Sequence, residues 1–222
     1  ILLENALKEI LMKDILLLGK KVVPEKSKLL LDYSPDDDFE KYFMPLGGRW
    51  EHRDGWLHGI EPGNKGGILL SRESFDKNVM FSFTMASVLP ATRDLNALCC
   101  TQWDYENNYL KSAYICGING WYDHKSGIEK FPENGLNATT PLYPYNPGDE
   151  LEMCFGAIDG HSFMTANDQL ICELIDPEPL IGGHVGFSPY CTHLKVKNLK
   201  IYEIYWEQRK QIYAPEFKED SL

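Results

Sequence analysis

The stretch Val79-Met80-Phe81-Ser82-Phe83-Thr84-Met85-Ala86 decides the fold class. Val79, Phe81, Phe83 and Met85 take one set of alternate positions; Met80, Ser82, Thr84 and Ala86 take the other. A period of two marks a strand with one face on a core. The same pattern recurs on both sides of it. Leu29 to Tyr33 reads as a strand that Ser34-Pro35-Asp36-Asp37-Asp38 stops with turn chemistry. Leu95 to Trp103 and Tyr109 to Ile118 read as a long pair. Leu151, Met153 and Phe155 alternate up to Asp159-Gly160. Hairpin turns are expected at Asp54-Gly55, Asp159-Gly160 and Asn167-Asp168. Near the C-terminus the alternation of Leu194 and Val196 slips by one before Leu199 and Ile201, which predicts a β-bulge at Lys197-Asn198.

These segments make about twelve strands with no helix between them. Parallel βαβ units are thereby excluded. The expected fold is all-β, a two-sheet antiparallel jelly-roll sandwich over residues 27–206. The one helical period is N-terminal: Leu2, Leu3, Ala6, Leu7, Ile10 and Leu11 recur at spacings of three and four. It predicts a short amphipathic helix within residues 1–18, in a segment of helix and linker over 1–26, and a surface for homo-oligomer contacts. Residues 207–222 read as a tail.

The chain has 222 residues and a formal net charge of −11. That field repels a nucleic-acid backbone and disfavours anionic membranes and acidic polysaccharides. Neutral sugars suit it better. No run approaches the ~20 apolar residues of a membrane span, so no membrane partner is expected. The six Cys form no CxxC pair and sit mostly in apolar runs, as buried free thiols do. Free thiols and the lack of a signal peptide imply a cytoplasmic location. No cofactor or catalytic metal is implied. A structural calcium ion held by Asp32 or the carboxylates at 36–38 is conceivable.

Residues 119–149 read as one long irregular stretch, a length that usually carries function. Its start holds Trp121, Tyr122, His124, Lys125, Glu129 and Lys130. Aromatic faces stack on the apolar face of a pyranose and polar groups bind its hydroxyls, so a sugar site needs both together. Trp103, Tyr105, Asn108 and Tyr109 form a second such group one strand earlier. The candidate substrate-binding residues are Asn96, Trp103, Tyr109, Tyr114, Trp121, Tyr122 and Lys130. His124 as general base, Lys125 as anion stabiliser and Glu129 as general acid are the candidate catalytic groups.

The order of elements resembles the concanavalin A-like lectin/glucanase superfamily, and more narrowly the bacterial jelly-roll families found beside glycoside-degrading genes. Leu31-Asp32-Tyr33, Gly48-Arg49-Trp50, Asp54-Gly55-Trp56-Leu57 and Asp94-Leu95-Asn96-Ala97-Leu98 carry it first. Gly117 to Glu129, Asp176-Pro177-Glu178-Pro179, Gly186-Phe187 and Val196 to Tyr202 follow. The resemblance spans roughly residues 28–205 and implies a concave sheet that binds sugar. It lacks the paired strand carboxylates of the glucanases. Three readings stand: a glycoside hydrolase or lyase, a non-catalytic carbohydrate-binding domain, and an interaction protein assembled through its N-terminal helix.

Overall fold

The computed structural model describes residues 12–121, 124–133 and 135–210. In chain order its strands are β1 (Ile15–Leu17), β2 (Lys20–Val22), β3 (Lys28–Tyr33), β4 (Phe43–Gly47), β5 (Arg49–Arg53) and β6 (Trp56–Glu61). Next come β7 (Ile68–Ser71), β8 (Val79–Ser87), β9 (Leu95–Asp104), β10 (Tyr109–Trp121), β11 (Lys125–Phe131) and β12 (Asn137–Thr140). The last six are β13 (Leu151–Ile158), β14 (His161–Ala166), β15 (Gln169–Ile175), β16 (His184–Phe187), β17 (Thr192–Glu203) and β18 (Trp206–Gln208).

Two antiparallel sheets face each other. One runs β12-β11-β10-β9-β16-β7-β4; the other runs β15-β14-β13-β8-β17-β6-β5, with β3 also on β17. The period-two residues of the sequence fill the space between them. Phe81 and Phe83 of the second sheet meet Phe187 of the first edge to face, at centroid distances of 5.9 and 5.0 Å. Leu95, Ala97, Cys99, Tyr114, Cys116 and Ile128 pack into the same core.

Local turn chemistry sets the register. Asp54-Gly55, Asp159-Gly160 and Asn167-Asp168 all adopt positive φ at both positions, the geometry that matches the twist of a two-residue hairpin. The bulge falls where the alternation slips. Asn198 has φ 55°, and the β17–β8 register shifts between Lys197 and Lys200. Across that bulge β17 changes partner, from β6 along Thr192–Val196 to β3 along Leu199–Glu203.

Two expectations are corrected. The C-terminal part of the expected N-terminal helix is a hairpin, β1 and β2 joined across Gly19, whose φ is 73°. Ile15 and Leu17 alternate inward as a strand does, and β18 joins them in a third, three-stranded sheet. Residues 1–11, the rest of that helix, lie outside the described residues, so no oligomer surface is built from it. The stretch 119–149 is not one irregular loop: its described residues include the end of β10, all of β11 and β12, and only 141–149 form a long run without strand. The carboxylates at 36–38 serve local structure. Asp37 accepts the Ser34 N–H, and Asp38 caps a one-turn helix, α1 (Phe39–Tyr42). Asp32 faces Lys200 at 3.4 Å, and among the described residues no cluster of three acidic, His or Cys side chains is placed to hold a metal ion.

The outer face of the second sheet carries a histidine pair. His58 Nδ1 and His193 Nε2 lie 2.8 Å apart, with Arg53 Nη2 3.3 Å from the same His58 nitrogen. Burial lowers both pKa values, and Arg53 and the neighbouring imidazole lower that of His193 further, to about 4. The folded protein therefore favours the neutral rings, while the unfolded chain protonates near its ordinary 6.5. Stability present above pH 6.5 is lost as pH falls toward 4. Thermal unfolding followed by circular dichroism should show a Tm that drops across this window, and His193→Gln should flatten the drop. Superimposable pH curves for the two proteins would refute the assignment.

Candidate functional site

The pleat divides β9, β10 and β11 between two tasks. On β10, Tyr114, Cys116 and Ile118 point into the core, while Ala113 and Ile115 pack in a separate cluster on the opposite face. On β11, Ser126, Ile128 and Lys130 are buried, and Glu129 between them is partly open. That opposite face carries a cleft of about 850 Å³. It crosses from Phe131 on β11, past Ile115, Asn96 and Ser188, to Ile68 and Leu46 on β7 and β4. Five strand spacings make that roughly 24 Å.

Trp121 is aimed into the cleft by an irregularity. The β10–β11 register shifts between Gly117 and Trp121, and Asn119 takes φ 58°. Such a bulge re-aims the side chain beyond it. The indole returns over Gly117, where a Cβ would lie 3.1 Å from Trp121 Cζ3 and overlap Asn96 Oδ1. Gly117 thus makes room for both groups. Trp121 Nε1 donates to Glu129 Oε2 at 2.8 Å. Trp103 forms another wall; its Nε1 is buried without a protein partner. Tyr109 and Tyr190 stand at the rim, about half exposed.

Three carboxylates line the cleft, Glu61, Asp94 and Glu129, beside one cation, Lys65. Asp94 is the most enclosed of them, 8% exposed. Burial raises its pKa to about 6 against the opposing pull of Arg93, Asn96 and His124. Glu61 Oε1 accepts the Gly63 N–H at 2.9 Å.

Of the residues singled out in the sequence, Asn96, Trp103, Tyr109, Trp121 and Glu129 line this one cleft, with Asn108. Tyr114 and Lys130 do not. Both occupy inward positions of the pleat and meet beneath the sheet at Asp176. Tyr114 donates to Asp176 Oδ2 at 2.7 Å, and Lys130 Nζ lies 3.0 Å from the same oxygen and donates to the Glu178 carbonyl. Burial pushes the Asp176 carboxyl up, but the Tyr114 hydroxyl, the Glu178 N–H and Lys130 outweigh it and hold the carboxyl below its usual range. His124 is exposed on the β10–β11 turn and Lys125 begins β11; neither lines the cleft. Tyr122 lies outside the described residues. Asp94 and Glu61 were not among the candidates. Asp94 sits two positions before Asn96, so period two places it on the same face, and that spacing was the available signal.

Comparison with protein-family models and with curated proteins gives no match. Solved structures do match. A Bacillus subtilis protein of unknown function with a galectin-like fold aligns with a TM-score of 0.65 at 13% identity, over 80% of this chain and 96% of that one. The carbohydrate binding module CBM66 of Bacillus subtilis aligns at 0.56 and 16% identity, over 72% and 94%. The β-glucanase of Bacillus licheniformis aligns at 0.56 and 9% identity, over 80% and 98%. The fold is that of the concanavalin A-like lectins and glucanases. At these identities the likeness concerns the concanavalin A-like fold and leaves the side chains of the cleft to this chain alone.

Two substitutions test the construction. Gly117→Ala should displace Asn96 and the Trp121 indole at a cost of about 1–3 kcal/mol, seen as a lower Tm and a red-shifted tryptophan emission; wild-type values for both would show that the glycine is dispensable. Lys130→Met leaves the Asp176 carboxylate buried and unpaired, which should cost about 3–5 kcal/mol in chemical denaturation. A loss below about 1 kcal/mol would mean that the pair is not what holds this loop.

Proposed function

We propose that the cleft of the first sheet binds a neutral glycan and is the centre of a carbohydrate-active function. The observation that carries this is the meeting of Trp103, Trp121, Tyr109 and Tyr190 with Asp94, Asn96, Glu61 and Glu129 over an apolar floor of Leu46, Ile68, Leu110 and Ile115. Indole and phenol faces suit the CH face of a sugar ring, and carboxylates and amides suit its hydroxyls. A carbohydrate-binding module and a β-glucanase share the fold, which supports the class of ligand and favours neither binding alone nor cleavage.

The charge narrows the ligand. A protein of net charge −11 whose cleft presents three carboxylates and one lysine repels uronates and sulfated sugars. The breadth of the cleft supports an oligosaccharide rather than a single sugar. The described thiols are all free, which supports work in a reducing compartment. Glycosidic-bond cleavage is the finer reading, favoured by two carboxylates, Asp94 and Glu129, in one cleft.

Isothermal titration with neutral oligosaccharides of glucose, xylose, mannose and fructose should detect binding. Trp121→Ala should weaken it at least ~10-fold, a loss of about 1.4 kcal/mol. Equal affinity in the variant, or tighter binding of a uronate oligosaccharide, would dispose of this reading.

A further inference from the structure

Resting on the glycan reading of the cleft, we infer that the subsite at Trp121 takes an amino sugar, binding a ring that carries a free amine in preference to the same ring without the charge. The indole there is bordered on two sides. At its Nε1 edge stands Glu129, whose Oε2 accepts the indole N–H at 2.8 Å. At the opposite edge, marked by Cζ3, stand Asn96 and then Asp94. A Cβ on Gly117 would lie 3.1 Å from Cζ3 and overlap Asn96 Oδ1. One on Gly120 would lie 3.5 Å from that same Asn96 oxygen and 3.1 Å from Asp94 Oδ1. Asn96 hydrogen-bonds Asp94. The two carboxyls are therefore on different sides of one aromatic plate, and all of these groups line the cleft.

The charge of this subsite is left largely unanswered by the protein. Among the described residues Glu129 and Glu61 stand in no ion pair; one holds the indole N–H and the other the Gly63 N–H. Arg93 Nε sits 3.3 Å from Asp94 Oδ2, but that arginine is about half exposed and so screened by water. His124 acts on Asp94 from the β10–β11 turn. Burial raises the Asp94 pKa to about 6 against these groups, so the carboxyl is mostly ionised near neutral pH. Lys130, beside Glu129 on β11, is turned beneath the sheet to Asp176. Lys65, the one lysine of the lining, is exposed on the turn before β7, three strands away from β10. An incoming ammonium would supply the missing countercharge.

Stacking carries that ammonium to the right place. A pyranose laid on an indole face is parallel to it, and equatorial substituents radiate in the plane of the sugar ring. They pass the edges of the indole, where the carboxyls stand. In a ring of gluco or galacto configuration the substituent at C2 is equatorial. A hydroxyl there makes an ordinary hydrogen bond. An ammonium there makes a charge-assisted one and is also drawn to the indole face.

The test is calorimetry on the intact chain near neutral pH. Oligosaccharides of glucosamine and of galactosamine are compared with their N-acetylated forms and with the neutral oligosaccharides of glucose, galactose, xylose, mannose and fructose. Acetylation removes the charge and keeps the ring. In one amine series the free form should bind at least ~10-fold tighter than its acetylated and unsubstituted counterparts. The preference should shrink as sodium chloride is raised, a readout that needs no variant and stands if one fails to fold. Glu129→Gln or Asp94→Asn should cut the ratio of amine to acetylated affinity below ~3-fold. The ratio is the measure, because both side chains also face the neutral ring. Equal affinities for the two forms, a preference indifferent to salt, or a ratio that both substitutions leave unchanged would overturn the inference. Binding of neutral oligosaccharides with no binding of either amine series would overturn it and leave the glycan reading intact. Absence of binding by every sugar would remove both.

Discussion

The alternation of the pleat across β9, β10 and β11 is the constraint from which both the core and the cleft follow. A strand sends successive side chains to opposite faces, so neither purpose can be changed without the other. Leu95, Ala97, Cys116 and Ile128 close the space between the sheets. Asn96, Ile115, Gly117 and Glu129 stand between them and face the cleft. Register ties the two sets together. Glu129 lies opposite Ile115, Ile115 opposite Leu98, and Gly117 opposite Asn96. A one-residue slip would bury Glu129 and Asn96 and expose the core. The cleft is therefore as well specified as the hydrophobic interior beneath it.

Where the sequence was legible, the signal was local. The three hairpin turns rest on dipeptides that tolerate positive φ, and the bulge at Asn198 rests on a slip between neighbours. The long strands β8, β9 and β10 read correctly because their apolar residues keep one parity. β11 did not read as a strand, since its inward positions include Ser126 and Lys130, which break the apolar count although both are buried. Lys130 is tolerated there only because Asp176, far along the chain, supplies its partner. The same long-range pairing removed Tyr114 and Lys130 from the candidate site. In the N-terminal segment Ile15 and Leu17 stand two positions apart, which suits a strand face and not a helical one. The pairing of β18 with β2 decided for the strand, and that pairing joins residues some 180 positions apart.

The small third sheet is held by polar groups as well as apolar ones. Leu17 and Val22 are fully buried against Phe163 and Ile158. Beside them Glu173 accepts from the Leu18 N–H at 2.9 Å and pairs with His161 at 2.7 Å, while His161 Nδ1 meets Lys20 Nζ at 3.2 Å. His161 is thus the acceptor for a lysine on one side and the donor to a carboxylate on the other. Burial lowers its pKa despite Glu173, which keeps the ring neutral and lets it fill both roles.

Burial alone does not decide what a carboxyl in this molecule does. Asp94 and Asp176 are enclosed almost equally, at 8% and 4% exposure, yet their pKa values move in opposite directions. Asp176 has a lysine, a tyrosine hydroxyl and a backbone N–H aimed at it. Its charge is fully answered, and it works as a structural anchor. Asp94 has one half-exposed arginine, an amide and a distant imidazole, so desolvation prevails and its acid form persists. An anchor needs a settled charge, whereas proton transfer needs one that is close to balance. That contrast separates the two aspartates, one an anchor beneath the sheet and the other a carboxyl of the cleft.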